Sequence, residues 1–365
     1  MTDEIRYYLG LTRIPKVGAV TAKNLVSYCG GAEAVFKATK RQLLSIPGIG
    51  DSIANQISNQ KVLKEAEEEM KIAEKNGVQL FTYQSDQYPQ RLKNYPDSPV
   101  VLQYKGSADL NANRIVAIVG TRKPTDYGRT ICEKLVEDLK KYNVVIVSGL
   151  AYGIDVTAHK KCVDLDIPTI GVLGSGLDVV YPSLHRKIAN QMIENGGLLS
   201  EFTHGTAPDR EHFPMRNRVV AGMCDALIVV ETKRRGGSMI TANLANDYNK
   251  DVFAFPGRNN DEFSEGCNLL IKSHKAALLD GAKDLAYVMR WESDAKTKEV
   301  QRSLFIELDK DEQELFTLIK ANPKIAIDQM TMNLCKTSSE MAALLLKLEF
   351  KGLIKSLPGK RYMEV

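Results

Sequence analysis

Glycine-rich turns recur in the centre of this 365-residue sequence, most of them at the end of a short apolar run. Glycine lets the backbone come close to a ligand and point its amide groups at it, and a helix that begins after such a turn adds a positive N-terminal end. These groups bind anions, above all phosphate. The turns contain Gly120, Ser148-Gly149, Gly174-Ser175-Gly176 and Gly237-Ser238.

Cationic side chains lie in or beside the same turns, at positions far apart along the chain. Several cationic loops at one edge suit a chain of phosphates better than a single nucleotide. Aromatic rings lie among them, and a base stacked on such a ring contributes roughly 1–3 kcal/mol whatever the base. The cations are Arg122, Lys123, Arg210, Arg216, Arg218 and the run 233–235; Asn217 lies between two of them, and the rings are Tyr127, Tyr152, Tyr181 and Phe213.

Structural interpretations of the same residues stay open at this point. Glycine turns follow strands in any doubly wound fold, so each turn taken alone could be structural. The run 233–235 could be a solvated face. Arg216 and Arg218 could instead form internal ion pairs with acidic neighbours, namely Glu201, Glu211 or Asp225.

Motifs for catalysis are weaker than those for binding. The chain has no GxxxxGK followed by Ser or Thr, residues 171–176 lack the GxGxxG spacing, and Ser175 is not in a GxSxG elbow. Asp155 and His159 are four residues apart, but a helix-capping aspartate and a packed histidine are favoured over an acid–base couple. The six cysteines and five histidines show no ligand spacing. We therefore predict no metal, no cofactor and no enzymatic activity.

Alternating strands and helices must position these turns. Short apolar runs at 115–119, 144–147, 169–173, 198–199, 226–230 and 252–255 alternate with helical stretches such as 130–141 and 184–195. This order predicts a parallel sheet with helices on both faces. Because ligands of open α/β sheets bind at the carboxyl ends of the strands, the turns are expected to meet at one edge.

The flanking segments carry a different pattern. Residues 1–75 are predicted to be all-helical, with glycine turns at 14–18 and 46–50. The second turn has the form of a helix–hairpin–helix, whose amides can bind a DNA phosphate without reading bases, and the first lacks the earlier glycine. Contact with protein is the alternative that we favour for this segment.

The last segment predicts helices at 309–320, 327–334 and 338–351 and then a hairpin of 354–357 with 361–365, which is a winged-helix order. The third helix would be the recognition helix, but it is apolar for a groove reader, so a protein-interaction or regulatory role is favoured over sequence-specific DNA reading. The wing carries Lys355, Lys360 and Arg361, which could touch phosphates.

Length and charge set only broad limits. The net charge of +4 is too mild to demand a nucleic-acid partner. We expect no signal peptide and no membrane span, and hence a cytosolic protein. The predicted domains are 1–76 helical, 77–290 α/β, 291–307 a linker and 308–365 winged-helix.

The central motifs together resemble the DNA-processing protein A (DprA, or Smf) family. The resemblance rests on Val119–Arg122, Ser148–Asp155 with Ala158-His159, Gly174–Asp178 with Tyr181-Pro182, Ser200–Phe202, Phe213–Gly222, Gly237–Ala242 and Phe255–Gly257. It implies an extended Rossmann-like core that binds single-stranded DNA without sequence preference, preceded by a helical domain of the helix–hairpin–helix or SAM-like type and followed by a winged-helix domain. It also implies a homodimer that loads the RecA recombinase in natural transformation.

The resemblance also implies site residues. By position, Arg122 and the loop from Phe213 to Arg218 correspond to the DNA-binding elements of the family, and the loop from Gly174 to Gly176 to part of the same pocket. Two departures affect the local pocket shape: Thr203 stands where the family usually has proline, and Gly236 where it commonly has serine. The full predicted DNA-binding set is Gly120, Arg122, Lys123, Ser148, Gly149, Gly174, Ser175, Gly176, Arg210, Phe213, Arg216, Asn217, Arg218, Gly237 and Ser238.

The rival interpretation is an enzyme that acts on nucleotides. The lonely-guy family of nucleotide phosphoribohydrolases has a related core and a glutamate on the helix after its glycine turn. The corresponding stretch here, 236–244, contains no carboxylate, so the general acid–base group is missing. An adaptor that senses a small nucleotide in a phosphate pocket is a third hypothesis.

Overall fold

The computed structural model describes residues 4–291, 308–322, 325–334, 336–351, 353–357 and 360–364. The chain forms two compact units, Met1–Ser293 and Asp294–Val365. The predicted linker 291–307 lies outside the described residues apart from Trp291, as do Cys335 and the turn at 358–359. The division of the first unit at residue 76 stays a prediction.

Six helices open the chain, as the sequence predicts for this segment: α1 (Glu4–Thr12), α2 (Ala19–Cys29), α3 (Ala32–Lys37), α4 (Lys40–Leu44), α5 (Asp51–Asn59) and α6 (Lys61–Lys75). They enclose a core of their own that contains Leu11, Leu25, Leu43 and Ile57, all fully buried. The hydrophobic side chains of these short helices, more than their length, therefore hold them in place.

The two glycine turns of this segment have the same backbone. The amide of Val17 donates to the Ile14 carbonyl over 3.0 Å, and that of Ile49 donates to the Ile46 carbonyl over 3.1 Å. Lys16 has a φ of 68° where Gly48 has 82°. Lys16 thus adopts the left-handed conformation, which costs less free energy for glycine than for lysine. The two turns therefore have the same structure although the first does not match the sequence motif completely.

A nine-stranded sheet forms the centre of the first unit, in the order β1-β2-β6-β5-β4-β3-β7-β8-β9. Strands β3 to β9 are parallel, whereas β1 and β2 run antiparallel at one edge. The strands are β1 (Gln79–Thr82), β2 (Val101–Gly106), β3 (Ile115–Val119), β4 (Val145–Ser148), β5 (Thr169–Val172), β6 (Gly197–Ser200), β7 (Ala226–Val229), β8 (Asp251–Ala254) and β9 (Ala277–Leu278). The six predicted strands are present; β1, β2 and β9 were missed.

Helices cover both faces of the sheet, as expected. Every residue of β3 is buried, and its residues alternate between the two cores: Val116 and Ile118 pack with one set of helices, Ala117 and Val119 with the other. The helices are α7 (Gln90–Lys93), α8 (Asp126–Leu139), α9 (Ile154–Asp164), α10 (Arg186–Asn195), α11 (His212–Met223), α12 (Gly237–Asp247), α13 (Glu265–Lys272) and α14 (Ala282–Val288). Burial on both faces explains the continuous apolar runs in the sequence.

The second unit has the winged-helix order: α15 (Lys310–Ala321), β10 (Ile325–Ala326), α16 (Ile327–Asn333), α17 (Ser338–Phe350), β11 (Ile354–Leu357) and β12 (Arg361–Glu364). Its three strands pair in the order β10-β12-β11. Capping boxes begin α15 at Asp309 and α17 at Thr337, each with a glutamate three residues later. The fold class predicted from the sequence is confirmed.

Candidate nucleic-acid interface

The glycine turns after β3, β4 and β7 meet at one edge of the sheet, around a cavity of about 520 Å³. A second, much smaller cavity, reached by the turn after β5, shares several of its lining residues. Between them they are lined by most of the predicted site: Gly120, Arg122, Gly149, Gly174, Ser175, Arg210, Phe213, Arg216, Asn217, Gly237 and Ser238. The α/β topology thus brings together side chains that are more than 100 residues apart in the chain.

Arg216 forms the floor of this site. Its side chain is buried, and Nη1 donates to the carbonyl oxygens of Gly149 and Val172, the latter over 2.7 Å. Burial lowers the pKa of this guanidinium, while nearby Asp155 acts in the opposite direction. An arginine stays charged under such conditions. The site therefore has a fixed positive charge at its base.

Gly149 has a structural role in the same place. A Cβ atom at this position would collide with the guanidinium of Arg216. Gly120 is constrained in the same way, because a Cβ there would lie 2.5 Å from the Cγ1 atom of Ile154. These two glycines are required for packing, whatever ligand the site binds.

An aromatic and cationic pair forms one wall of the cavity. The guanidinium carbon of Arg122 lies 5.4 Å from the centre of the Phe213 ring. The Tyr181 ring lies 6.0 Å from that of Phe213, and Tyr152 lines the smaller cavity beside them. Tyr152 and Tyr181 are 42% and 48% exposed. The rings of this wall can stack on bases, and the neighbouring Arg122 cation can contact a phosphate.

The N-terminus of α12 also lines the larger cavity. The helix is capped by Gly236, which has no capping side chain, and its first turn contains no acidic residue. Ser238 is buried, lines the cavity, and its Oγ atom has no hydrogen-bond partner. A Cβ atom at Gly237 would meet nothing within 4 Å, so the approach is open. A helix N-terminus with these properties suits a phosphate group.

Four predicted residues lie outside the lining of both cavities. Arg218 forms an ion pair with Glu201, with side chains 13% and 12% exposed, so the ion-pair interpretation describes Arg218 and not Arg216. The Ser148 hydroxyl donates to the Ile118 carbonyl over 2.6 Å. The other two are Lys123, which is exposed, and Gly176, which packs against Asp178 and the Thr203 carbonyl.

Asp155 and His159 do not form a couple. The Asp155 carboxylate accepts the Ala151 amide at the start of α9, over 3.4 Å. Burial raises the pKa of this carboxyl, with Arg216 opposing the rise. Nδ1 of His159 lies 2.7 Å from the Thr169 hydroxyl, and burial lowers the pKa of the imidazole to about 3. The packed histidine favoured by the sequence is the arrangement observed.

Several lining residues were missed. Thr241 is buried in the wall of the larger cavity, three positions after Ser238 on α12. Residues three apart share a helix face, so this residue could have been found from Ser238. Thr232 and Pro208 gave no such signal, because only the fold brings them to the cavity, whereas Lys233 belongs to the cationic run 233–235 named from the sequence. Lys233 also pairs with Glu262 over 2.6 Å at the surface.

Two other properties concern the described part of the chain. None of its helices is both long and apolar enough to cross a bilayer. Within the same residues, no group of three or more histidine, cysteine or acidic side chains could hold a metal ion.

Three family models match the chain. The model described as DNA recombination-mediator protein A matches residues 79–290, a helix-hairpin-helix motif matches 7–61, and the DprA winged helix domain matches 305–360. Protein Smf of Synechocystis sp. is 30% identical over 393 aligned positions that cover 99% of this chain and 98% of the relative. The DNA processing protein DprA of Streptococcus pneumoniae is 41% identical over 206 positions, covering 56% of this chain and 73% of the relative.

Solved structures give the same result. The X-ray structure of DNA processing protein A from Streptococcus pneumoniae superposes with a TM-score of 0.69 at 31% identity, covering 80% of this chain and 99% of that one. A structure of DNA processing protein A from Helicobacter pylori, concerned with its single-stranded DNA binding mode, superposes with a TM-score of 0.54 at 31% identity over 59% of this chain and 98% of that one.

Proposed function

The chain belongs to the DNA recombination-mediator protein A (DprA/Smf) family, and from this premise we propose that it binds single-stranded DNA at the carboxyl edge of its sheet, without sequence preference, and passes the strand to RecA during natural transformation. The relative from Helicobacter pylori is described as binding single-stranded DNA, which supports the proposal.

The observation that carries the DNA part of the proposal is the pair of Arg122 and Phe213. A ring that stacks on any base lies beside a cation that can reach the adjoining phosphate. Stacking on a ring and contact between a cation and a phosphate carry no sequence information, so the binding is expected to be independent of sequence. Arg210 and Arg216 add charge along the same cavity.

The phosphates are proposed to follow the part of the cavity that is lined by the N-terminus of α12. The amides at the N-terminus of α12 and the Ser238 hydroxyl would donate hydrogen bonds to one phosphate. Lys233 lines the same cavity. Exposed Arg234 and Arg235 continue the cationic surface beyond it. A backbone that crosses the cavity in this way would keep its bases on the aromatic wall.

Transfer to RecA and assembly into a homodimer are further parts of the proposal, supported by family membership. Strand β9, at the outer edge of the sheet, and helix α14, which follows it, expose apolar side chains that a second copy could cover: Leu278, Tyr287 and Val288 are 53%, 86% and 49% exposed. Faster onset of DNA-dependent ATP hydrolysis by RecA, on DNA coated with single-strand-binding protein, is the expected sign of transfer.

A nucleotide-hydrolysing enzyme is less well supported by the geometry. Among the described residues that line the two cavities, Asp155 is the one carboxylate, and it is buried beside Arg216. A general base must reach the proton that it removes, and this carboxylate is engaged with the Ala151 amide. Competition by mononucleotides separates a DNA site from a nucleotide sensor.

The test is fluorescence anisotropy of a labelled oligothymidine over a salt series, with duplex DNA in parallel. Arg122→Gln should weaken binding and reduce the magnitude of the slope of log K against log salt by about 0.7, the value for one neutralised phosphate on a single strand. Lys160→Gln, at an exposed lysine on α9, is the matched control and should leave the slope unchanged. Arg122 is preferred to Arg216 because it is exposed.

The outcomes are distinct. No binding by the unaltered protein at low salt would overturn the proposal. Equal effects of Arg122→Gln and Lys160→Gln would move the site away from this edge of the sheet. Displacement of the oligonucleotide by mononucleotides at similar concentrations would favour a small-nucleotide sensor.

A further inference from the structure

Helix α17 carries apolar side chains on the face that points away from its own core. Its inner face, with Met341, Leu344, Leu345 and Leu348, is buried in the second unit. The opposite face contains Ser339, Ala343, Leu346 and Phe350, all exposed. Leu346 and Phe350 are 55% and 84% exposed, so this face is not the usual polar side of a surface helix.

The topological position of α17 is that of a recognition helix, yet its chemistry does not suit a DNA groove. Base edges are read by hydrogen-bonding side chains, mainly Arg, Lys, Asn and Gln. The outward face has none of these, and the flanking Glu340 and Glu349 would repel phosphates. Lys347 is the one flanking cation on this helix, and it lies 3.8 Å from Asp309.

The spacing of the face is that of a helix–helix seam. Positions 339, 343, 346 and 350 are separated by four, three and four residues, as in the a and d positions of a coiled coil. The small side chains, Ser339 and Ala343, occupy the first half of the helix, and the large ones, Leu346 and Phe350, the second. An antiparallel copy would place each large side chain opposite a small one.

Charges flanking the seam agree with the same arrangement. Glu340 and Lys347 are seven residues apart and lie on one side of the seam. A two-fold axis through the centre of an antiparallel helix pair brings the same flank of both helices together. Glu340 of each helix, whose carboxylate also accepts from Thr337 in the capping box, would then face Lys347 of the other copy. A parallel pair would instead place the two equivalent flanks on opposite sides of the seam, so Glu340 and Lys347 would not meet.

We propose that α17 is a docking surface for a second copy of this chain, through an antiparallel α17–α17 contact. The contact does not depend on DNA binding and is separate from the edge of the sheet at β9. A single helix face is smaller than the roughly 1,200 Å² that stable interfaces bury, so the contact is weak by itself. It would act by joining chains that are already concentrated, for example along one DNA strand.

Cross-linking of the full-length chain tests the proposal. Ala343→Cys places a thiol next to the proposed two-fold axis, where a short bifunctional maleimide should join two chains. Gln313→Cys, at an exposed position on α15, is the matched control, and the parent chain sets the background from native cysteines. Ala343→Cys should give a two-chain product well above both.

A second substitution distinguishes specific docking from random collision. Leu346→Glu, added to Ala343→Cys, should weaken the association about tenfold, because it removes one buried leucine contact and introduces charges. Lys347→Glu should also lower the yield by placing two glutamates together. Both positions are exposed, so the fold should be retained, which circular dichroism would verify.

Three results would overturn the proposal. The first is a yield from Ala343→Cys no higher than that from Gln313→Cys. The second is a yield that Leu346→Glu leaves unchanged. The third combines two observations: duplex DNA at low salt protects the thiol introduced by Ala343→Cys, and Leu346→Glu loses duplex binding. This result would show that the outward face of α17 binds DNA.

Discussion

The carboxyl edge of the sheet and the outward face of α17 both occupy places where folds of their kind bind nucleic acid. At the sheet edge, the exposed groups are the Arg122 cation, aromatic rings and the free N-terminus of α12. On α17, the exposed groups are Leu346 and Phe350, with glutamates beside them. The two surfaces therefore differ in side-chain chemistry, although both occupy nucleic-acid-binding positions in their folds.

The comparison shows that a motif places a surface but does not decide its ligand. Beneath the sheet edge, buried polar groups such as Arg216 and Asp155 hold the site in one geometry. Beneath α17 lies a hydrophobic core that contains Met341, Leu345 and Leu348. A preorganised polar floor is typical of a site that binds a charged ligand.

Removal of the charged floor should have the largest effect. Arg216→Met leaves the Asp155 carboxylate buried without its cation and the carbonyls of Gly149 and Val172 without their donor. Leaving a buried acceptor without its donor costs about 1–3 kcal/mol, and we expect a loss of unfolding free energy of at least that size. Urea denaturation would measure it.

The matched control is Arg129→Met. Arg129 pairs with Asp126 over 3.0 Å at the surface, with side chains 53% and 100% exposed. Such pairs contribute about 0–1 kcal/mol. A small effect of Arg216→Met, comparable to that of Arg129→Met, would show that the floor of the cavity is not needed for the fold.

Phe213→Leu should weaken oligothymidine binding while leaving its salt dependence intact. Loss of base stacking costs roughly 1–3 kcal/mol, so the dissociation constant should rise about 5- to 150-fold. The slope against salt should not change, because no charge is removed. A parallel measurement on Arg122→Gln should show the reduced slope; a changed slope in Phe213→Leu would mean that the ring acts by positioning Arg122 instead of stacking bases.

The sequence was sufficient to predict the parallel strands and the edge at which the turns meet. Strands β3 to β8 are short apolar runs that end near glycine or polar residues, and burial on both faces leaves that pattern. Strand β2 lacks it, because Gln103 and Lys105 interrupt the apolar residues. Its pairing with β6 is a long-range contact that no local pattern indicates.

The different roles of two arginines cannot be told apart from the sequence pattern until helix α11 is assigned. Arg216 and Arg218 have similar neighbours, yet one faces the cavity and the other pairs with Glu201. Residues two apart on a helix differ by about 200° in direction, so both could not face one cavity once α11 is assigned. The role of Gly149 was beyond any local argument, because its partner Arg216 is 67 residues away.

The core unit should lose stability in mild acid through His159. Its pKa is about 3 in the folded chain and near 6.5 when exposed, so the unfolded state binds a proton first as the pH falls below 6.5. Stability is therefore complete above that value and decreases towards pH 3, by about 2 kcal/mol at pH 5. Denaturation at pH 7 and pH 5 should show the difference, and His159→Gln should remove most of it.

Trp291 makes this measurement specific to the first unit. It is the single tryptophan of the chain, and its ring lies 6.4 Å from that of Tyr142. Its fluorescence therefore reports on the core and not on the winged-helix unit. An equal loss of stability in His159→Gln would assign the acid sensitivity to a group other than His159.

The smallest effect is expected at the wing. Lys355, Lys360 and Arg361 are exposed, and they lie in or next to β11 and β12, in a unit whose outward helix face is apolar. If the sheet edge holds the strand, replacing all three by glutamine should change the affinity for a short oligothymidine less than about twofold, within the range of most surface substitutions. A loss comparable to that of Arg122→Gln would remove the distinction between the two surfaces, because the wing would then neutralise phosphates as the cavity does. The length of the oligonucleotide sharpens the result: a strand long enough to reach the wing, but not a short one, would lose affinity if the wing were an additional contact instead of the primary site.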